Sequence, residues 1–64
     1  MQNLPKYLTE REVSELTRIG MKTLQQHRWK NKGIPFHKFG GSVRYSEEDV
    51  LQYMKNCRVE TEVA

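Results

Sequence analysis

Three side chains in this 64-residue sequence offer soft or imidazole metal ligands: His27, His37 and Cys57. The histidines stand ten residues apart and the cysteine lies far downstream. No zinc-ligand spacing results, and no metal is expected. Ser42, Ser46 and Cys57 lack a nucleophile-and-base constellation, and a chain this short builds few walls for a catalytic cavity. An enzyme is therefore not expected, nor a cofactor or small-molecule substrate. A single cysteine excludes an internal disulfide and fits a reducing compartment.

The chemistry that the sequence does concentrate is cationic. Residues 1–21 carry three Lys or Arg against three acids, residues 22–45 six cations and no acid, and residues 46–64 two cations against five acids. The segments thus hold 0, +6 and −3, which sum to the net +3. A block with Lys22, Arg28, Lys30, Lys32, Lys38 and Arg44 and no carboxylate is the footprint expected of a site for a polyanion. A solvated basic face is the plainer explanation, since charge blocks are common in folded domains.

Elements must position those cations. At this length one domain is the limit, and roughly 60% of the unfolded surface can be buried. No apolar run approaches the ~18 residues of a membrane span, and the N-terminal MQNLPKYL has no long apolar stretch of the signal-peptide kind. Thr9-Glu10-Arg11-Glu12 fits a capping box opening a helix over about 10–17, with Tyr7 or Leu8 stapled onto Val13. Ser14 is small enough to permit a close helix approach. After Arg18-Ile19-Gly20, a second helix is predicted from Met21 to Asn31 or Lys32, stopped by Gly33-Ile34-Pro35.

At 100° per residue, Met21, Leu24, Arg28 and Asn31 share the inner side of that helix, with His27 at its edge. Lys22, Gln25, Gln26 and Trp29 lie on the outer side, with Thr23 in the first turn. Gln can bond adenine through two atoms, and Lys can reach guanine or phosphate, so this face suits base edges. Two helices joined by a short turn containing Gly read as helix-turn-helix.

Residues 36–45 follow as a β-hairpin. A three-residue loop, Gly40-Gly41-Ser42, would pair Phe39 with Val43, Lys38 with Arg44 and His37 with Tyr45. It is preferred to a two-residue Gly-Gly loop because it puts Phe39, Val43 and Tyr45 on one face and Lys38 and Arg44 on the other. Ser46 then caps a third helix over about 47–56, with Glu47, Glu48 and Asp49 in its first turn. Arg28, on the inner side, is expected to form a structural ion pair with Asp49 or Glu48. The expected organisation is an arm at 1–6, a domain at 7–56 and a fraying tail at 57–64.

Tyr7-Leu8-Thr9, Thr23-Leu24, Arg28, Gly33-Ile34-Pro35-Phe36, Lys38, Gly40, Val43-Arg44-Tyr45 and Asp49-Val50 together resemble the small excisionase and AlpA-type helix-turn-helix proteins. Those are MerR-like winged-helix DNA binders of bacteria, phages and integrated elements. The likeness covers about residues 7–54. It implies a mainly α fold of three helices with a two-stranded wing between helices 2 and 3, in a cytoplasmic, nucleoid-associated protein. By the same likeness, residues 20–31 enter the major groove and 36–45 form a wing on backbone or minor groove. The chain departs from the pattern at His27, where Trp is frequent, at Gly20, where a capping Ser is usual, and at Ser14, where Ala is usual. Of the positions open to Trp29, facing DNA or tucked against the wing, the second is favoured.

On this reading Lys22, Thr23, Gln25 and Gln26 read the major groove, while Lys30, Lys38, Ser42 and Arg44 hold the backbone. Gly40 and Gly41 let the wing tip approach closely. The partner is double-stranded DNA, joined by further copies on adjacent sites or by an integrase or RNA polymerase. The alternative is a protein-interaction module in which the basic block meets an acidic partner and Trp29 anchors the interface. Salt separates them: four to six phosphate contacts give a log–log slope of roughly −3.5 to −5.5 on duplex DNA.

Overall fold

The computed structural model of the chain describes residues 6–62. Most of the arm expected at 1–6, and the last two residues of the tail, lie outside them. Strand β1, Tyr7–Leu8, leads directly into helix α1, Glu10–Thr17. The capping box is present: the Glu12 N–H donates to Thr9 Oγ1 at 3.2 Å, and the Thr9 N–H donates to Glu12 Oε1 at 2.9 Å. Two donors that the helix leaves without partners are thereby satisfied. The bond from the Thr9 N–H also holds the Glu12 carboxyl below its ordinary pKa.

Hydroxyls close the turn after α1. Arg18 takes a left-handed φ of 64°, and its N–H donates to the Ser14 carbonyl at 2.8 Å. Ser14 Oγ donates to the Ile19 carbonyl at 2.7 Å, and the Ile19 N–H donates to Thr17 Oγ1 at 3.2 Å. A serine at position 14 thus ties the turn to the helix, a service alanine cannot give.

Helix α2 spans Met21–Trp29, two or three residues shorter than the sequence pattern suggests. Asn31, not Gly33, ends it. Asn31 has φ 55°, its N–H reaches the Arg28 carbonyl at 3.0 Å, and the Lys32 N–H reaches the His27 carbonyl at 2.8 Å. This pair of bonds is a Schellman motif with asparagine in the left-handed position. Gly33 follows with φ 85°, so close to His27 that a Cβ there would lie 2.7 Å from Nδ1.

Strands β2, His37–Phe39, and β3, Ser42–Ser46, complete an antiparallel sheet in the order β1-β3-β2. The sheet has three strands where two were expected, because Tyr7 and Leu8 pair with Ser46 and Tyr45. The wing register also differs from the expected one. His37 opposes Arg44, Lys38 opposes Val43 and Phe39 opposes Ser42, leaving a two-residue Gly40-Gly41 loop. Gly40 alone of the two has a positive φ, 63°, the pattern of a II′ turn, whose twist matches the flanking strands.

Ser46 ends β3 and caps helix α3, Glu47–Asn56, accepting from the Asp49 N–H at 3.0 Å. The core is small: Leu8, Val13, Leu24, Ile34, Tyr45 and Val50 are buried, with Ile19, Phe36, Val43 and Tyr53 packed around them. Every element except β2 contributes a buried residue. The wing tip therefore projects from the core.

Candidate nucleic-acid interface

Helix α2 carries most of the candidate interface residues, and its rotation is fixed from the inside. Leu24 is buried in the core, while His27 and Arg28 are half-buried beside it. Arg28 Nη1 donates to Glu10 Oε2 at 2.7 Å and to the Tyr45 hydroxyl at 2.8 Å. Gln25 Nε2 donates to the other Glu10 oxygen at 3.0 Å. One carboxylate from α1 thus clamps α2 at two points, and the arginine continues the chain of bonds to β3. The guanidinium also lies 5.9 Å from the Phe36 ring centre.

Charge follows geometry here. Partial burial alone would raise the Glu10 pKa, but the bonds from Arg28 and Gln25 and the Arg28 charge outweigh it and lower the value. Burial likewise works against the Arg28 cation, and the bonds to Glu10 and Tyr45 overcome it. The expected partner of Arg28 is therefore corrected. Asp49 is not its counter-ion; the Asp49 carboxylate lies 3.8 Å from His37 Nε2 instead. The sheet separates the N-terminus of α3 from the inner side of α2, and α1 supplies the acid.

Lys22, Thr23, Gln25, Gln26, Trp29 and Lys30 are exposed. Lys22, Gln26 and Trp29 sit at i, i+4 and i+7, one stripe opposite Leu24. Lys30 stands just past the helix end, and Gln25 lies on the flank toward Glu10. Trp29 is 85% exposed, so it is not tucked against the wing as favoured above. It forms one wall of an open cleft whose other lining residues are Gln25, Arg28, Phe36, Lys38 and Val43.

The two-residue turn splits the wing cations between its faces. Lys38 shares a face with Val43 and lies on the α2 side, in the cleft. Arg44, Ser42, His37 and Phe39 share the opposite face. Phe39 is therefore not a core anchor; it is 53% exposed. It meets Tyr7 edge-on at 5.4 Å and stacks with His37 at 6.0 Å, and Tyr7 also meets His37 edge-on at 5.3 Å. Strand β1 gives Phe39 an apolar neighbour, which makes this register tolerable. Arg44 folds back on its strand, donating to the Val43 carbonyl at 2.7 Å. Gly40 and Gly41 form the tip, with open space where a Cβ would stand.

Two participants escaped the sequence reading. Nothing local singles out Glu10 within its capping-box turn, and its partner is eighteen residues away. Phe36 forms the cleft floor, which needs the wing's register to be seen. Trp29 carried a visible signal, its spacing from Lys22 and Gln26.

Among the described residues, no group of three or more His, Cys, Asp or Glu side chains converges to hold a metal, and no helix is long and apolar enough to cross a membrane. Two helices at a tight turn, a strand wing behind them and an exposed polar face on the second helix define a winged helix-turn-helix domain. The chain belongs to the helix-turn-helix domain family of small excisionase- and AlpA-like DNA-binding domains, whose pattern it matches over residues 7–58. No curated protein and no solved structure matches it. Membership makes DNA the ligand class, in a family that is typically non-enzymatic.

Proposed function

We propose that the chain is a sequence-specific duplex-DNA binder that lays α2 in the major groove and its wing alongside, in the MerR-like manner. It serves as an excisionase-like directionality factor in recombination or as a transcriptional regulator of a phage or mobile element, in the bacterial cytoplasm. One observation carries this reading. The outer face of α2 presents Lys22, Thr23, Gln26 and Lys30 to solvent, while the acid that touches the helix from α1, Glu10, is neutralised by Arg28 at 2.7 Å. That face is cationic and hydrogen-bonding, as base edges and phosphates require.

The roles divide by chemistry. Gln26 and Thr23 read bases; Lys22 reaches guanine or phosphate; Lys30 and Lys38 hold phosphates. Gln25 contributes through its amide oxygen, since its nitrogen is held by Glu10. Arg44 and Ser42, on the far face, reach DNA only near the wing tip. A head this small covers a few base pairs, so useful specificity comes from several copies on neighbouring sites or from an integrase or polymerase alongside. Selection from a random duplex pool tests this. Gln26→Ala should shift the selected sequence, whereas Lys38→Ala should weaken all sequences alike. The reverse pattern would show that α2 is rotated differently on DNA.

A second reading, a protein-interaction module, draws support from the exposed Tyr7, His37 and Phe39 on the face away from α2. An acidic partner competing with duplex DNA for the protein would favour it.

A further inference from the structure

Trp29 has no role in that scheme, yet it is the most exposed large apolar side chain among the described residues. The cleft it borders lies between the end of α2 and the wing and has a volume of about 340 Å³. Its floor is apolar, made by half-buried Phe36 and Val43. Lys38 forms the far rim. The two remaining lining groups are already engaged: Arg28 by Glu10 and Tyr45, and the Gln25 nitrogen by Glu10. A ligand would therefore meet an indole, an apolar floor and one ammonium, which is a site for something apolar on one side and anionic on the other.

Position says what that ligand is. Seven residues separate Lys22 from Trp29, about 10.5 Å along a helix, and the major groove is about 12 Å wide. With the first turns of α2 on base edges, Trp29 stands at the groove wall. That wall is a sugar–phosphate strand, and the same strand divides the major groove from the minor groove beneath a wing.

We propose that the cleft seats one deoxyribose-phosphate unit of that strand, with Trp29, Phe36 and Val43 against the sugar and Lys38 on its phosphate. This rests on the reading of α2 as the groove helix and adds a contact to the sugar itself. The apolar side of the sugar includes C2′, so a 2′-hydroxyl there would be buried without a partner and rejected. Trp29 on this view is a strand clamp that reads no base.

A single ribonucleotide walked along each strand of the selected duplex tests the proposal, with wild type and Trp29→Ala compared by fluorescence anisotropy. At one or two neighbouring positions the 2′-hydroxyl should weaken wild type about tenfold and Trp29→Ala less than about twofold. The comparison between proteins cancels any general change of duplex shape. On unmodified DNA, Trp29→Ala should bind about tenfold more weakly whatever the sequence, as the loss of roughly 60 Å² of apolar contact implies. Its melting temperature should match wild type, because the side chain is 85% exposed. A flat scan with binding intact overturns the cleft assignment alone. So does a Trp29→Ala protein that loses its response to thymine-to-uracil replacement, which would make the indole a reader of thymine methyls. If wild type binds no duplex at all, the groove-helix reading falls with it.

Discussion

Arg28→Ala is the substitution that most sharply separates folding from binding. The side chain falls in a basic block on the helix assigned to DNA, yet its guanidinium points inward. Its side chain is 20% exposed and that of Glu10 is 18% exposed, so the pair is well shielded from solvent. Truncation removes a charge-assisted bond, roughly 1.5–3 kcal/mol, and takes one partner from the hydroxyl of buried Tyr45, about 1 kcal/mol more. The expected loss is roughly 2.5–4 kcal/mol. A 64-residue domain has only about 3–10 kcal/mol to lose. The melting temperature should fall by at least about 10 °C. Urea denaturation followed by circular dichroism measures the free-energy loss, and a thermal melt the shift in melting temperature. Tyr45→Phe should lose only about 0.5–1.5 kcal/mol, since Glu10 still holds the arginine. A double-mutant cycle between Glu10→Gln and Arg28→Ala should show strong coupling. If Arg28→Ala instead stays within about 0.5 kcal/mol of wild type while DNA binding disappears, the guanidinium belongs to DNA and the clamp is wrong.

Three further outcomes follow from the same geometry. The Glu10 carboxyl is held below its ordinary pKa in the fold, so the unfolded chain takes up its proton first as pH falls. Its stabilisation is complete above the unfolded value, roughly 4.3, and disappears as pH drops through the lower folded value. Melting curves between neutral and strongly acidic pH should show this loss, blunted in Glu10→Gln. At the wing tip, Gly40→Ala should cost about 1 kcal/mol through its positive φ, while Gly41→Ala should be nearly neutral for stability. Equal costs would contradict the II′ turn. Gly33→Ala should destabilise by about 2 kcal/mol or more, because strain at φ 85° is joined by a clash with His27.

Local chemistry was the legible part of the sequence. The bounds of α1 and α3 follow from Thr9 with Glu12 and from Ser46 with its acidic turn, because a cap is written in neighbouring residues. On α2 the period places Leu24, His27 and Arg28 inside, but Met21 and Asn31, which it puts on the same side, are exposed because one opens the helix and the other stands beyond its end. What escaped depends on contacts distant in sequence. Sorting Phe39 inward sets the expected hairpin register, but Tyr7 of the two-residue strand β1, together with His37, gives that ring neighbours on the outer face. The counter-ion of Arg28 had several candidate acids, and nothing local ranks Glu10 above Asp49. Asn31 ended α2 where glycine drew attention, since both tolerate a left-handed backbone. Spacing places Trp29 outside, and the gain from burying an aromatic against the wing is not realised, since the side chain stays exposed.

The most direct measurement is the salt dependence of binding to duplex DNA. With Lys22, Lys30, Lys38 and Arg44 as the available cations and Arg28 withdrawn by Glu10, a log–log slope of about −3 to −4 is expected. Lys38→Ala should flatten it by about one. A slope shallower than about −1, unchanged by Lys38→Ala, would contradict duplex-DNA recognition by α2 and the wing.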